Sequence, residues 1–240
     1  MCIAIVKPTG VRLGKPILET CWERNPDGAG FMWAYNNHLH VLKGYDKFDE
    51  FYNDYNKVSE SKLNESAIVL HFRIATSGNI DYDNCHPHYV NRNMAFVHNG
   101  IIDRFSDIEA DKSDTVFFNE NILHKLPANF LSIELIMELI SGYIGNSKLV
   151  FMDNKGNITI VNEEEGIWDM GCWFSNNSYI PSRVPVVREG KRKYIYENFD
   201  YYQNSSIVRQ LSNTCPCGIR LVTQKELSTG ICNFCSNNMK

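Results

Sequence analysis

Apolar residues in this chain fall in short runs closed by turn signals, and that punctuation limits the fold more than any other feature. Cys2 to Val6 is an apolar run of β type that stops at Lys7-Pro8-Thr9-Gly10. A second turn, Asn25-Pro26-Asp27-Gly28-Ala29-Gly30, feeds Phe31 to Tyr35, and His38 to Lys43 is placed to pair with that strand across Asn36-Asn37. Ala67 to Phe72 and Met94 to Val97 read as buried strands. Leu149 to Met152 and Ile158 to Val161 read as a hairpin around Asp153-Asn154-Lys155-Gly156, and Cys172 to Ser175 as one more short strand. Helical spacing appears where Phe48, Phe51, Tyr52 and Tyr55 stand at i, i+3, i+4 and i+7. Ser113 to Leu126 and Leu131 to Tyr143 also read as helices, with Ser113 or Asp114 as the cap of the first. Strands and helices come in separate runs, so the expected class is α+β, with sheets covered by helices.

Composition excludes several alternatives. The 240 residues suffice for one sizeable domain with an appendage, and 43% apolar with 22% charged residues argues against global disorder. A net charge of −4, from 24 basic and 28 acidic residues, speaks against a dedicated nucleic-acid binder. No apolar run approaches the roughly 20 residues of a membrane span. The opening Met-Cys-Ile-Ala-Ile-Val-Lys-Pro lacks the charged lead of a signal peptide. A cytoplasmic location is therefore expected, with the eight cysteines as thiols or metal ligands rather than disulfides.

Chemistry is offered first by Cys2. Initiator methionine is normally trimmed before a small residue, which would leave a cysteine with a free α-amine. That amine has a reference pKa of about 7.7–8.0, so it can act as the base for its own thiol. Three further segments carry candidates. In His71-Phe72-Arg73-Ile74-Ala75-Thr76-Ser77-Gly78, Arg73 ends an apolar strand with a planar guanidinium suited to a carboxylate. In His98-Asn99-Gly100-Ile101-Ile102, the Asn99 amide and the Gly100 N–H are adjacent donors of the kind that form an oxyanion hole. Near a helix start, Asp114 of Ser113-Asp114-Thr115 could bind an ammonium or serve as an N-cap.

Together with the Asn25 to Gly30 turn and His86-Pro87-His88, these segments resemble the glutaminase domain of class II glutamine amidotransferases, which are N-terminal-nucleophile hydrolases. The motifs stand in the family's order, and the resemblance covers about residues 2 to 180. It implies a four-layer αββα sandwich and L-glutamine, or a related γ-glutamyl amide, as substrate. Cys2 would attack the side-chain amide, and its α-amine would pass the proton to departing ammonia. Asn99 and Gly100 would hold the oxyanion, Arg73 with Thr76 the substrate carboxylate, and Asp114 its ammonium. Gly28 would lie in a loop closing over the substrate. Ser77 stands where some relatives carry His. Cys85-His86-Pro87-His88 follows the family's His-Pro pattern, and its two histidines are too few ligands for a closed zinc site. Cys21 and Cys172 sit in apolar company, as packing residues do.

Only about 60 residues follow the resemblance, and they contain no phosphate- or dinucleotide-binding glycine motif. An ammonia acceptor is therefore expected on a separate protein. Residues 2–185 are assigned to the amidotransferase-like domain, 186–212 to a linker, and 213–240 to a cysteine-rich ribbon. In that ribbon Cys215, Cys217, Cys232 and Cys235 supply four thiols, and a tetrahedral structural zinc fits the set. Two disulfides or a redox dithiol are the alternatives that the spacing leaves open. A catalytically silent adaptor built on this ribbon is the competing reading of the whole chain.

Overall fold

The computed structural model describes residues 2–61, 66–104, 111–181, 183–188 and 191–196. The chain divides into two compact units, Met1–Pro181 and Ser182–Lys240. In the second unit the described part is an antiparallel pair of strands, Arg183–Arg188 and Lys191–Tyr196. The four tail cysteines lie outside the described residues.

The first unit is mixed α/β and holds two antiparallel sheets. One has six strands: β1 (Ile3–Lys7), β2 (Ala29–Tyr35), β3 (His38–Tyr45), β4 (Ile68–Phe72), β9 (Ile167–Asp169) and β10 (Cys172–Phe174), in the order β3-β2-β4-β1-β10-β9. The other orders β5 (His88–Asn91), β6 (Met94–Asn99), β7 (Lys148–Asp153) and β8 (Ile158–Val161) in sequence. The turn between β2 and β3 is Asn36-Asn37, both at positive φ (50° and 59°). That conformation suits a two-residue hairpin, and Asn tolerates it better than most side chains.

Side chains alternate between the faces of each strand, and the alternation builds three apolar clusters. On one face of the larger sheet, Ile3, Ile5, Phe31, Leu70 and Phe72 meet Leu18 and Cys21 of α1 (Lys15–Arg24) and Phe51 and Tyr55 of α2 (Phe48–Glu60). The opposite face, through Ala4, Val6, Met32 and Val69, packs on Ala95, Val97, Val150 and Met152 of the smaller sheet. The far face of that sheet sends Phe96, Leu149 and Phe151 against Phe118 of α3 (Asp114–Asn121) and Ile140 and Ile144 of α4 (Glu134–Ile144). Phe51 is fully buried with its ring 4.9 Å from that of Phe72, so truncating it to Ala should cost about 3–5 kcal/mol.

Ser113 caps α3 by accepting the Val116 N–H at 3.2 Å, leaving Asp114 in the first turn with its carboxylate free for other bonds. The stretch expected as a single helix to Leu126 is broken. After Asn121 the chain makes a 3₁₀ turn at Leu123–Lys125, and a second at Phe130–Ser132 precedes α4. No helix of the described residues is long and apolar enough to cross a membrane.

Candidate functional site

Three strand ends meet at Cys2. It directly precedes β1, whose neighbours are β4 and β10, and β6 ends beside it at Asn99. The Cys2 Sγ lies 3.3 Å from the Ile74 carbonyl, to which it donates, and 3.3 Å from the Ile74 N–H, from which it accepts. Burial pushes the thiol pKa up, against the pull of the Ile74 hydrogen bond and the Arg73 charge. A thiol so held is mostly protonated near neutrality and needs a base to become a nucleophile.

A cavity of about 20 Å³ opens beside this thiol, room for about one water. Cys2, Arg73, Thr76, Gly100 and Asp114 line it together with His86 and His98. Arg73 is 4% exposed; its guanidinium donates to the carbonyls of Asn79 (2.9 Å) and Ser77 (3.0 Å), which fixes the following loop. The Asp114 carboxylate accepts the N–H groups of Ile102 (2.7 Å) and Thr115 (2.8 Å), and is thereby locked at the cavity wall. At Gly100 the backbone takes φ +145°, and a Cβ there would run into Ser147. Only glycine allows that approach, which brings Gly100 to the cavity.

Two predicted residues stand apart from the cavity lining. Gly28 accepts the Arg73 N–H at 2.7 Å and faces the Cys85 sulfur. The Asn99 amide donates to the Cys2 carbonyl and, at 2.6 Å, to Ser175 Oγ. Both amide hydrogens are thus engaged, and one has to be released before Asn99 can hold an oxyanion.

Sequence reasoning passed over Ser175, Asn176 and Asp27. Asn176 Nδ2 donates to the Cys2 carbonyl at 2.6 Å, Ser175 Oγ accepts the Ala4 N–H at 2.8 Å, and Asp27 accepts the Ala75 N–H at 2.8 Å. Each fixes the backbone around Cys2 or its loop. The Ser-Asn-Asn run following an apolar strand was the available signal for the first two.

His86 and His98 of the cavity lining belong, with His71 and His88, to a cluster of four buried histidines. His71 and His86 have ring centroids 4.0 Å apart, and His86 and His88 4.7 Å apart. His71 Nε2 is 2.9 Å from the His98 carbonyl. A carbonyl only accepts, so this nitrogen carries the proton. His98 Nδ1 is 2.7 Å from Thr115 Oγ1, whose hydroxyl faces Asp114 at 3.3 Å. Burial holds all four neutral, with His71 pushed down to about 3 and His98 to about 4.

Comparison with known proteins bears on this geometry. Residues 21–117 match the sequence profile of the family described as glutamine amidotransferases class-II. That match supports an enzyme of the glutamine amidotransferase type. Among solved structures, glutamine phosphoribosylpyrophosphate (PRPP) amidotransferase from B. subtilis, complexed with ADP and GMP, is 17% identical with a TM-score of 0.45. The alignment covers 72% of this chain and 41% of that one, so the chain spans less than half its length. A glutamine aminotransferase class-II domain protein from Silicibacter pomeroyi is 16% identical with a TM-score of 0.32, covering 64% and 73% of the two chains. No curated protein matches. The matched residues include Arg73, Thr76, Asn99, Gly100 and Asp114; Cys2 precedes them.

Proposed function

We propose that the chain hydrolyses the side-chain amide of L-glutamine, with Cys2 as nucleophile once Met1 is removed. The supporting observation is the single cavity that Cys2, Arg73, Thr76, Gly100 and Asp114 share, within a chain matched to a glutamine amidotransferase profile. The stacking of α1 and α2, two sheets, then α3 and α4 supports reading the unit as an αββα N-terminal-nucleophile hydrolase.

In this reading the free α-amine of Cys2 takes the thiol proton, and Sγ adds to the amide carbon. The oxyanion meets the Gly100 N–H and an Asn99 hydrogen released from the Cys2 carbonyl. The tetrahedral intermediate collapses as the amine hands its proton to the leaving nitrogen. Ammonia departs and a γ-glutamyl thioester remains. Water adds to the thioester, the thiol is expelled and reprotonated, and glutamate leaves. Arg73 addresses the α-carboxylate and Asp114 the α-ammonium. A cavity of about 20 Å³ is too small for glutamine, so its lining has to open on binding.

The ammonia is passed, in this proposal, to a separate acceptor protein. Cys215, Cys217, Cys232 and Cys235, four thiols outside the described residues, would hold a structural zinc in this proposal, and one equivalent of metal by elemental analysis of the full chain is the corresponding check. The function itself is tested by intact mass and peptide mapping after incubation with 6-diazo-5-oxo-L-norleucine, a glutamine-like alkylating agent. A single adduct on Cys2 in protein lacking Met1 is expected. No adduct on folded, trimmed protein would sink the assignment and favour the silent adaptor.

A further inference from the structure

The strand that follows Cys2 loses its backbone partner on one side just where Cys2 stands. In the register that sets Ile5 opposite Phe174 and Val6 opposite Trp173, β1 and β10 part at Ser175. The Ser175 N–H still reaches the Ala4 carbonyl at 3.0 Å, but the Ala4 N–H turns to the Ser175 hydroxyl at 2.8 Å rather than to a backbone oxygen. Beyond it the chain leaves the sheet for the 3₁₀ turn Asn177–Tyr179. On that side the Cys2 carbonyl has no ladder donor, and two side-chain amides take the place, Asn99 and, at 2.6 Å, Asn176. A carbonyl oxygen has two lone pairs, so it accommodates both.

The two amides are not equivalent. Asn176 is tied at its other end, where Oδ1 accepts the Ser178 N–H at 2.9 Å and caps the turn. That bond fixes which end of the amide faces Cys2, since only the oxygen can accept. Asn99 ends β6, and one of its hydrogens lies on Ser175 Oγ at 2.6 Å. The Ser175 hydroxyl accepts from both Ala4 and Asn99, and so anchors Asn99 to β1 by that hydrogen. The other hydrogen is the one that the proposed hydrolysis needs at the oxyanion. Asn99 is 2% exposed, so a carbonyl served by it alone would be stranded among buried groups when that hydrogen left. An unsatisfied buried acceptor is costly, and Asn176 removes that cost by staying in place.

We propose that Asn176 is a positioning residue for the hydrolysis, keeping the Cys2 carbonyl bonded while Asn99 carries one hydrogen to the oxyanion. The proposal rests on the glutamine reading of Cys2 and adds to it the partner that makes the oxyanion donor releasable. Asn176 does not line the cavity beside Cys2 and acts through Asn99.

Steady-state glutamine hydrolysis by the full chain, trimmed of Met1, tests this in a double-mutant cycle of Asn176→Ser and Asn99→Ala. Serine keeps an oxygen to cap the turn and is too short to serve the carbonyl as well. In the wild-type background Asn176→Ser should lower kcat about tenfold, with KM within about twofold of wild type because Arg73 and Asp114 are untouched. In the Asn99→Ala background the same change should lower kcat by less than about twofold, since no exchange is left to assist. An unchanged kcat in Asn176→Ser, or the same loss in both backgrounds, as a residue that only braces the backbone would give, overturns the proposal. If Asn176→Ser does not fold, side-chain amide NMR of wild-type protein decides. The probe is glutamate γ-semialdehyde, whose aldehyde carbonyl Sγ adds across to give a hemithioacetal. On its formation the Asn99 amide resonances should shift, and an Asn176 Nδ2 proton should move downfield as the carbonyl's remaining side-chain donor; unmoved resonances overturn the proposal. Wild-type protein that neither turns over glutamine nor takes an adduct on Cys2 overturns the glutamine reading and this proposal with it. A working wild type with any of the adverse results above overturns this proposal alone.

Discussion

The Cys2 sulfur meets both backbone atoms of Ile74 at 3.3 Å, its carbonyl oxygen and its amide nitrogen. The strand end thus holds the thiol without ionising it, because burial outweighs the help of the Ile74 N–H and keeps the pKa above its ordinary value of 9.0. An N-terminal extension that blocks the amine of Cys2 should therefore leave a slow thiol at neutral pH. We expect alkylation by iodoacetamide at pH 7 to be much faster in trimmed protein than in protein with a tag before Cys2, and turnover to vanish in the tagged form. Equal rates and full turnover in both would remove the α-amine from the mechanism.

Arg73 and Asp114, which both line the cavity beside Cys2, invite a kinetic test. Arg73→Lys keeps the charge but loses the fork that grips the carbonyls of Ser77 and Asn79. Asp114→Asn keeps the shape and loses the charge. Each should lower kcat/KM for glutamine about tenfold to a hundredfold, mostly through KM, as expected for a lost charged hydrogen bond. Wild-type KM in both variants would show that these side chains only brace the loop and the helix.

Buried neutral histidines tie folding to pH. His71 and His98 have folded pKa values pushed down to about 3 and about 4 from an ordinary 6.5, so the unfolded chain binds more protons below pH 6.5. Their contribution is complete above pH 6.5 and is lost as pH falls toward the folded values. The slope is about 1.4 kcal/mol per pH unit for each histidine. Thermal melts between pH 7 and pH 5 should show Tm dropping steeply, and His71→Phe should flatten the drop. A Tm independent of pH across that window would contradict the buried neutral cluster.

Gly100 and Gly142 make a matched pair for backbone strain. At Gly100 the positive φ alone should cost an alanine about 1–3 kcal/mol, with the collision against Ser147 added. Nothing stands within 4 Å of a Cβ at Gly142 in α4, so alanine there should stabilise by roughly 0.5–1 kcal/mol. Urea denaturation of the two variants should give shifts of opposite sign.

Much of this was legible in the residues. Alternation and turn residues located β1, β2, β3, β4, β6, β7, β8 and β10, because sheet strands write their period or their apolar run directly into the chain. Helix α1 was not legible. Its buried Ile17, Leu18 and Cys21 form too narrow a stripe, and Pro16 near its start reads equally well as a turn. Strands β5 and β9 are short and half polar, and their pairing partners define them more than their composition does. At the site, Cys2, Arg73, Thr76, Gly100 and Asp114 could be named because their chemistry is in the side chain or in glycine's freedom. Ser175 and Asn176 were marked only by a polar run after an apolar strand, and what they do there depends on a fold that brings them to the start of β1 across more than 170 positions of sequence. The engagement of both Asn99 hydrogens likewise belongs to tertiary structure alone.

The place of β1 inside its sheet has a consequence for biosynthesis. This strand lies between β4 and β10, so the segment translated earliest of all the described strands has one flank that stays open until Phe174 has left the ribosome. A nascent chain released before that point would carry Cys2 on an unpaired edge. Pairing of the strand that follows Cys2 is thereby completed only when almost the whole first unit has been made.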